Sequence, residues 1–432
     1  MSSTVDIRVH HLTRVEGHGN ILVRAADGRI EEVVWQVPEA PRFFEAMVRG
    51  HSYEDIQTIV SRVCGICSIS HSLASVKATE AAMDIEVSPQ TQKLRLLIHY
   101  SEQLQSHILH VGYLVAPDLF NAPSVIPLID THTDAVLAIV RVHRAANEWS
   151  ELLGGRITHP VTLCPGGFTR LPTAEQLKEL DAKLEAALAD VRAVADVVLS
   201  VADRLPAFRR ETEYVAQVEP GHYTFYDGEI GSTDADPVPV SEYRSAANER
   251  VSPQSTAKWT RWHRDCYAVG ALARFNLNAE HLLPEAADVA ARFALAKGCA
   301  NPFMNSVAQL VECVQVLVEA RGIIDELLSD GLQDDARRPV TPKAGQGVGC
   351  VEAPRGILFH DYTYDDRGRC TGANLVIPTN QNHANIQKDF EAFVPEFLDR
   401  GQDELRLLLE MLVRSYDPCI SCSTHYLTVQ FT

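Results

Sequence analysis

Apolar residues recur at intervals of three and four over several long stretches, the spacing typical of helices with one buried face. The first stretch covers residues 88–115, and Ser88 suits its N-cap because a hydroxyl there can accept a backbone N–H. A second stretch covers 134–153 and is followed by the pair Gly154-Gly155, which suits a helix end. The pattern therefore predicts two long helices between residues 88 and 153.

The clearest helical pattern begins after Thr173, which forms a capping-box pattern with Gln176. Its apolar face consists of Leu177, Leu180, Leu184, Leu188, Val191, Val194 and Val198, and Pro206 ends the pattern. Other periodic stretches predict further helices at 255–275, 285–297, 306–328 and 404–413. The pattern as a whole predicts a central bundle of long helices.

Extended runs lie mostly near the two ends of the chain. Residues 6–37 contain three short β-type runs separated by turns, which predicts a β-meander. Late in the chain, the runs 356–364 and 369–376 flank a turn and predict a β-hairpin. Residues 217–253 are rich in Gly, Pro, Asp and Ser and predict an irregular lobe of strands and loops.

No repeat, low-complexity tract or linker divides the chain, so we expect one domain over residues 1–432. The predicted fold class is mainly α with β edges (α+β), a long-helix bundle with a peripheral meander and hairpin. Its parts are the meander at 6–37, the helical core at 88–330, and the hairpin with a metal-binding tail at 350–425. A Pro- and Gly-rich stretch, 338–349, separates the core from the hairpin.

The composition restricts the class of partner. A formal net charge of −18 argues against nucleic acid or an anionic membrane. No apolar run has the length of a membrane span, and the N-terminus lacks the regions of a signal peptide. Ten cysteines in 432 residues do not suggest a disulfide framework. A reducing cytoplasm is therefore the expected compartment.

Two short stretches at opposite ends of the chain each carry a Cys-x-x-Cys pair and then a histidine. They are Cys64, Cys67 and His71, and Cys419, Cys422 and His425. Four thiolates form a soft donor set, which favours zinc, iron–sulfur, nickel or copper(I). A structural zinc site remains open on these spacings. The long separation of the pairs and the adjoining Arg62 and Asp417 argue against it, because a zinc knuckle needs neither.

The two stretches resemble motifs in the large subunit of nickel–iron hydrogenases. In chain order, the matching motifs are RVEGH (14–18), RVCGICSISH (62–71), GGRITHP (154–160), EAPRG (352–356) with Pro378-Thr379, and DPCISCSTH (417–425). These five matches occur in the family's order and span the whole chain. On this resemblance, the protein is identified as a member of that family.

The resemblance implies a metal centre in which all the cysteines of the two pairs bind nickel. Cys64 and Cys419 would be terminal ligands of nickel. Cys67 and Cys422 would bridge nickel to an iron that also carries carbon monoxide and cyanide. The implied reaction is the reversible heterolytic cleavage of H2, with the Cys419 thiolate as the base that passes its proton to Glu16.

The family's other residues around this centre can be matched as well. His71 would donate a hydrogen bond to a bridging sulfur, which tunes the metal. Arg355 would lie over the open face between the metals, oriented by Asp118 and Asp417.

Further matches concern the iron ligands and a second metal. Pro378 and Thr379 would line the diatomic ligands, with the threonine hydroxyl donating to cyanide. A hard cation, Mg²⁺ or Fe²⁺, would be bound by Glu45, His425 and the carbonyl of Leu375, consistent with its preference for oxygen donors.

The chain has no further cysteine group suited to an iron–sulfur cluster, so electrons must pass to another polypeptide. The resemblance implies an obligate heterodimer with an iron–sulfur small subunit. Residues 37–42 and 378–382 are similar to the cytoplasmic, cofactor-coupled branch of the family. That branch uses further flavin and iron–sulfur subunits to reach NAD(P), a deazaflavin or a bifurcating flavin.

The family also implies nickel chaperones and a maturation protease that often cleaves just after the last histidine. Here residues 426–432 follow that histidine. The sequence leaves open whether this short tail is removed or kept.

Two other classes of protein are compatible with parts of the sequence. A quinone-reductase subunit related to complex I would keep the fold without hydrogen chemistry, but such relatives generally lack these cysteines. A zinc-stabilised scaffold would keep the cysteines without catalysis.

Overall fold

Helices make up most of the computed structural model, which describes residues 5–335 and 337–425. The helices are α1 (Phe44–Met47), α2 (Tyr53–Val60), α3 (Ser68–Met83), α4 (Pro89–Leu109, continued as a π-helix over His110–Val115), α5 (Ala116–Leu119), α6 (Leu128–Thr131), α7 (Thr133–Gly154), α8 (Ala174–Leu199), α9 (Tyr243–Ala246), α10 (Ala271–Asn278), α11 (Pro284–Arg292), α12 (Asn305–Asp330), α13 (Pro378–Phe397), α14 (Gln402–Ser415) and α15 (Ile420–Ser423). The predicted class, mainly α with β edges, is confirmed.

The strands form small separate sheets. They are β1 (Val5–Val9), β2 (Asn20–Ala26), β3 (Arg29–Gln36), β4 (Leu163–Cys164), β5 (Gly167–Phe168), β6 (Glu213–Val218), β7 (Glu229–Ser232), β8 (Asn248–Ser252), β9 (Ser255–Arg261), β10 (Tyr267–Ala268), β11 (Gly345–Ala353), β12 (Gly356–Tyr364) and β13 (Cys370–Val376). The sheet orders are β1-β2-β3, β10-β6-β7 and β11-β12-β13, with two further pairs, β4-β5 and β8-β9.

The four long helices α4, α7, α8 and α12 pack around a common core, α4 against α7, α7 against α8, α8 against α12, and α12 against α4. Their ends have the predicted caps. Ser88 accepts the N–H of Thr91, and Thr173 and Gln176 form a reciprocal capping box. Gly155 ends α7 with a φ of 75°, a conformation that favours glycine. The predicted bundle is confirmed.

The meander and the late hairpin are also confirmed. Strands β1, β2 and β3 are antiparallel neighbours, and β12 pairs antiparallel with β13. None of the helices in the described part of the chain combines the length and the apolar character needed to span a bilayer. The question of the tail at 426–432 lies outside the described residues.

One predicted helix is wrong over most of its length. Residues 255–261 form β9, which pairs antiparallel with β8, and the helix α10 begins only at Ala271. The segment contains Thr256, Trp259 and Thr260, and β-branched and aromatic residues are favoured in strands. Pairing with β8 therefore stabilises this segment as a strand, although its apolar residues have helix-like spacing.

The strand β11 and the helix α13 were not predicted. β11 contains Gly345, Gly347 and Gly349, which made this segment resemble a loop in sequence. Cβ atoms there would lie 2.1, 2.3 and 2.0 Å from the carbonyl oxygens of Ala82, Ala78 and Ala74 of α3. The helix thus lies directly on the strand backbone, and only glycine allows this approach.

A buried ion network lies between α4, α10, α12 and β11, and we call it the Arg274 network. Arg274 donates from Nε and Nη2 to Glu312, at 2.7 Å each, and from Nη1 to Glu352, at 2.9 Å. Tyr223 and His107 each contact Glu312 at 2.7 Å. Burial opposes ionisation of Glu312, but Arg274 lowers its pKa to about 2. Burial raises the pKa of Glu352 to about 7, so the main charge pair of the network is Arg274 with Glu312.

Candidate metal centre

The four cysteines meet where two short segments cross. Cys64 follows a 3-10 turn and Cys67 directly precedes α3, whereas Cys419 precedes α15 and Cys422 lies within it. Their four sulfur atoms lie within 4.8 Å of one another, and all four residues are buried. We call this group the four-cysteine cluster. No other such group of histidine, cysteine or acidic side chains occurs among residues 5–335 and 337–425.

The backbone around Cys64 favours a thiolate. The N–H groups of Ile66 and Cys67 point to the Cys64 sulfur at 3.2 and 3.1 Å. Such N–H donors stabilise negative charge on sulfur. The Cys64 and Cys419 sulfurs are 3.5 Å apart, so the two segments contact each other through their sulfur atoms.

The electrostatics of the cluster suit a bound cation. Burial opposes ionisation of Cys64, but hydrogen bonds from the other thiols and the charge of Arg355 hold its pKa well below the ordinary value. Hydrogen bonds to the neighbouring thiols, followed by burial, raise the pKa of Cys419. Burial also raises the pKa of Cys422. The remaining protons leave most easily when a metal ion supplies positive charge, which fits a soft metal centre.

Arg355 lies buried beside the cluster. Its Nε donates to the backbone oxygen of Asp417 at 2.6 Å, its Nη2 to the Asp417 carboxylate at 2.8 Å, and its Nη1 to Ser106 at 3.2 Å. Burial opposes its charge, but Asp417 and the cysteine thiolates hold its pKa above the ordinary value. The guanidinium is therefore a fixed positive charge next to the sulfur atoms.

Asp118 does not orient Arg355, contrary to the prediction. Its carboxylate accepts hydrogen bonds from Nε and Nη2 of Arg414, at 2.7 and 3.1 Å, and another from Arg14. Asp118 follows the π-helical stretch and faces α14, where Arg414 offers a planar, two-pronged donor. It therefore anchors the helix that leads to Cys419.

Glu16 lies beside the C-terminal cysteine segment, as predicted from the motif. Its backbone oxygen accepts the N–H of Ile420 at 3.0 Å, and its carboxylate accepts the N–H of Ser421 at 3.1 Å. The next residue, Gly17, has a φ of 87°, and a Cβ there would lie 2.7 Å from the Ser421 nitrogen. Glycine therefore permits the close approach that brings the half-buried Glu16 next to Cys419.

His71 is fully buried on α3, and burial lowers its pKa to about 4. Its Nδ1 lies 3.0 Å from Nε2 of His360. Its Nε2 is buried and has no hydrogen-bond partner among the described residues. The same holds for Nδ1 of His99 and of His107, but His71 lies one turn after Cys67, so a contact with the loaded cluster would satisfy its nitrogen.

Pro378 and Thr379 form the first turn of α13, beside Cys419. The hydroxyl oxygen of Thr379 accepts the N–H of Cys419 at 3.0 Å. The hydrogen of this hydroxyl is not used in that contact and can be donated elsewhere.

The three predicted ligands of the second metal also converge. Nε2 of His425 lies 2.8 Å from the carbonyl oxygen of Leu375 and 3.4 Å from the Glu45 carboxylate. That carboxylate accepts the N–H of Leu375 at 2.9 Å. Burial opposes ionisation of Glu45, but His425 lowers its pKa. A carboxylate oxygen, a carbonyl oxygen and an imidazole nitrogen thus point to one place, a donor set suited to a hard cation.

Two further residues at the site were not predicted from the sequence. Arg42 donates through Nη2 to the carbonyl of Val63, at 2.7 Å, and to that of Ser421, so it joins the two cysteine segments. Glu102 accepts the N–H of Ile69 at 2.6 Å, and burial raises its pKa to about 8. The only sequence signal for Glu102 is a charged residue within the apolar pattern of α4.

Comparison with known proteins adds three kinds of similarity. The family model described as nickel-dependent hydrogenase matches residues 42–138 and 210–425. The alpha chain of sulfhydrogenase 2 from Pyrococcus furiosus is 31% identical over 97% of this chain and 99% of its own. The beta chain of the NAD-reducing hydrogenase HoxS from Cupriavidus necator is 31% identical over 96% of this chain and 94% of its own.

The similarity extends to three-dimensional structure. The crystal structure of an NAD⁺-reducing NiFe-hydrogenase in the H2-reduced state superimposes with a TM-score of 0.88 at 26% identity. The match covers 97% of this chain and 99% of that one.

Proposed function

Because this chain belongs to the nickel-dependent hydrogenase family, we propose that its four-cysteine cluster holds the nickel and iron at which H2 is cleaved. The family assigns an oxidoreductase acting on H2, and the chain is the catalytic subunit of such an enzyme. The observation that carries the placement is the convergence of four buried sulfur atoms within 4.8 Å.

The cysteines take two roles in this proposal. Cys64 and Cys419 would hold nickel as terminal ligands. Cys67 and Cys422 would be shared between nickel and iron. Soft thiolates suit nickel and low-spin iron better than they suit magnesium or calcium. Carbon monoxide and cyanide on the iron would be lined by Pro378 and Thr379, whose hydroxyl hydrogen remains available for donation to cyanide.

When bound, the centre supplies the chemistry that splits H2 heterolytically. The Cys419 thiolate accepts the proton, and Glu16 accepts it next, because Glu16 is hydrogen-bonded to the two residues that follow Cys419. Arg355 keeps a positive charge beside the thiolates. The partly exposed position of Glu16 gives the proton a way out of the core.

A hard cation is proposed at the second group of donors. Glu45, His425 and the carbonyl of Leu375 would bind Mg²⁺ or Fe²⁺. In this arrangement the ion would tie β13, which contains Leu375, to the end of the C-terminal motif.

The proposal includes a partner for electron transfer. Several relatives are named as components of larger enzymes, among them those of the NAD-reducing hydrogenase and of the F420-non-reducing hydrogenase of Methanothermobacter marburgensis. We infer an iron–sulfur small subunit for this chain, with further flavin and iron–sulfur subunits leading to NAD(P), a deazaflavin or a bifurcating flavin. A cytoplasmic location, chaperones for nickel and a maturation protease belong to the same proposal.

The test is metal analysis of the purified complex, with matched cysteine variants. Wild type is expected to contain nickel and one cluster iron in about equal amounts, with infrared bands of carbon monoxide and cyanide. Cys422→Ser should lose nickel, whereas Cys299→Ser, outside the cluster, should keep it. Zinc alone in the wild-type protein would instead identify a structural zinc site.

A further inference from the structure

Three pairs of polar side chains join α3 to β12 behind the four-cysteine cluster. The pairs are His71 with His360, Ser75 with Tyr362, and Thr79 with Tyr364, at 3.0, 3.3 and 2.8 Å. The helix residues are four apart and the strand residues two apart, so each set lies on one face. All six side chains are buried. We call this row of contacts the α3–β12 ladder.

The first two pairs are connected with each other. Nδ1 of His360 lies 2.6 Å from the hydroxyl of Tyr362, and Nε2 of His360 lies 3.0 Å from Nδ1 of His71. A row of two hydrogen bonds therefore runs from Tyr362 through His360 to His71, and the hydroxyl of Tyr362 has a second, longer contact with Ser75 at 3.3 Å. The pair of Thr79 and Tyr364 has no part in this row.

Both histidines in the row are buried, and neither contacts a carboxylate among the described residues, so both are neutral. Burial lowers the pKa of His71 to about 4 and that of His360 well below its ordinary value. A neutral imidazole carries one N–H, so one ring nitrogen donates and the other accepts. The direction of the row therefore decides which nitrogen of His71 carries hydrogen.

The hydroxyl of Tyr362 sets that direction. Burial raises the pKa of Tyr362, so the hydroxyl keeps its proton. Its contact with His360 is short, at 2.6 Å, whereas its 3.3 Å contact with Ser75 is longer than the usual 2.5–3.0 Å of an O–H···O bond. The Tyr362 proton therefore points to Nδ1 of His360. His360 then donates from Nε2 to Nδ1 of His71, which leaves the His71 hydrogen on Nε2.

We propose that Tyr362 and His360 are positioning residues that fix His71 as an Nε2–H donor to the sulfur atoms of the four-cysteine cluster. The proposal rests on the proposed function, since it concerns the loaded centre. It explains why this nitrogen is buried without a partner among the described residues. The backbone N–H of His71 donates to the carbonyl oxygen of Cys67 at 3.2 Å, so the imidazole lies one helical turn after a cysteine of the cluster.

The two hydrogen bonds from Tyr362 through His360 to His71, which we call the relay, have a chemical consequence at the cluster. An N–H donor withdraws electron density from a thiolate, so the metal it binds becomes less electron-rich. If the hydroxyl of Tyr362 is removed, His360 can carry its hydrogen on either nitrogen. His71 is then no longer held in the donor form, and the sulfur donates more charge to iron.

The experiment compares Tyr362→Phe with Tyr364→Phe in the purified heteromeric complex. Each change removes one buried hydroxyl from the same strand, but only Tyr362 belongs to the relay. Nickel content should match wild type in both variants. The infrared bands of iron-bound carbon monoxide and cyanide should move to lower frequency in Tyr362→Phe and stay at the wild-type position in Tyr364→Phe.

The outcomes separate this proposal from the proposed function. Tyr362→Phe with full nickel and unmoved bands would overturn the relay alone. A wild-type complex without nickel or such bands would overturn the proposed function instead.

If Tyr362→Phe does not assemble, a second pair of variants tests whether His360 fixes His71. In His360→Gln the amide nitrogen occupies the place of Nε2 and still donates to His71, so the bands should stay near wild type. In His360→Leu that donor is lost, and the bands should move to lower frequency. Bands displaced equally in both variants would contradict the relay.

Discussion

The four-cysteine cluster and the Arg274 network are both buried and polar, but their charges are arranged in opposite ways. In the network, Arg274 contacts two carboxylates, and His107 and Tyr223 complete the bonding of Glu312. In the cluster, four sulfur atoms of like character meet, and a nearby imidazole nitrogen has no partner among the described residues. Nδ1 of His107 in the network also lacks a partner among the described residues, so unpartnered nitrogens do not distinguish the two regions. Their charges do: opposite charges pair in the network, whereas four neighbouring thiolates need a cation to balance them.

The motif EAPRG (352–356) contributes residues to both the Arg274 network and the surroundings of the four-cysteine cluster. Glu352 contributes to the network, and Arg355, three residues later, lies beside the cluster. The same short turn between β11 and β12 therefore links the balanced interior to the metal centre. Substitutions on the two sides of this turn should separate effects on stability from effects on metal binding.

The largest effect is expected for Cys67→Ser. A serine oxygen bridges poorly to soft, low-spin iron, so the binuclear centre should not assemble. Nickel content and hydrogen uptake should both fall to background while Cys299→Ser keeps both. Wild-type nickel content and hydrogen uptake in Cys67→Ser would contradict the bridging role of Cys67.

The next effect is expected for Arg274→Met in the network. It leaves the buried charge of Glu312 without its main partner, which costs about 3–5 kcal/mol of unfolding free energy. Denaturant unfolding measures the loss, and Lys297→Ala at an exposed ion pair should change stability by less than about 1 kcal/mol. The fraction that folds should still contain nickel. A loss of nickel greater than the loss of folded protein would show that the Arg274 network is also needed for metal binding at the four-cysteine cluster.

The third effect concerns proton transfer without metal binding. Glu16→Gln keeps the size of the side chain but removes the titratable group. Hydrogen oxidation and the exchange of deuterium gas with solvent should fall about 100-fold. Nickel content should remain unchanged, since Glu16 is not a ligand. Full nickel with full exchange would exclude Glu16 from the mechanism.

The smallest effect is expected far from both regions. Thr173→Ala removes the cap of α8 and should lower the unfolding free energy by about 1 kcal/mol. Hydrogen uptake per nickel should equal wild type. Reduced uptake per nickel would show that the bundle transmits strain to the centre.

Local rules explain what the sequence could predict. Thr173 and Gln176 are three residues apart, so the capping box could be identified without knowing the fold. The cysteine motifs, likewise, keep their ligands within one turn. The two sets of metal donors were correctly brought together, because the resemblance already supplied their long-range pairing. Their roles stay predictions.

Interactions that depend on tertiary packing could not be predicted from the sequence. Asp118 could pair with any of several guanidinium groups, and only the packing of α5 against α14 selects Arg414 over Arg355. Arg42 lies in the segment 37–42 that resembles one branch of the family, but its contacts could not be predicted, because its partners are backbone carbonyls of distant segments. β11 was missed because its glycines are required by a helix more than two hundred residues earlier in the chain.

Those glycines have a consequence for the accuracy of the metal centre. With a methyl at Gly347, the new carbon would lie 2.3 Å from the oxygen of Ala78, closer than real contacts allow, so helix and strand would have to separate. Because α3 starts just after Cys67, any such separation would also displace that sulfur from Cys419. The spacing of the sulfur atoms thus depends on the glycines of β11, which have no side chains and lie away from the metal site.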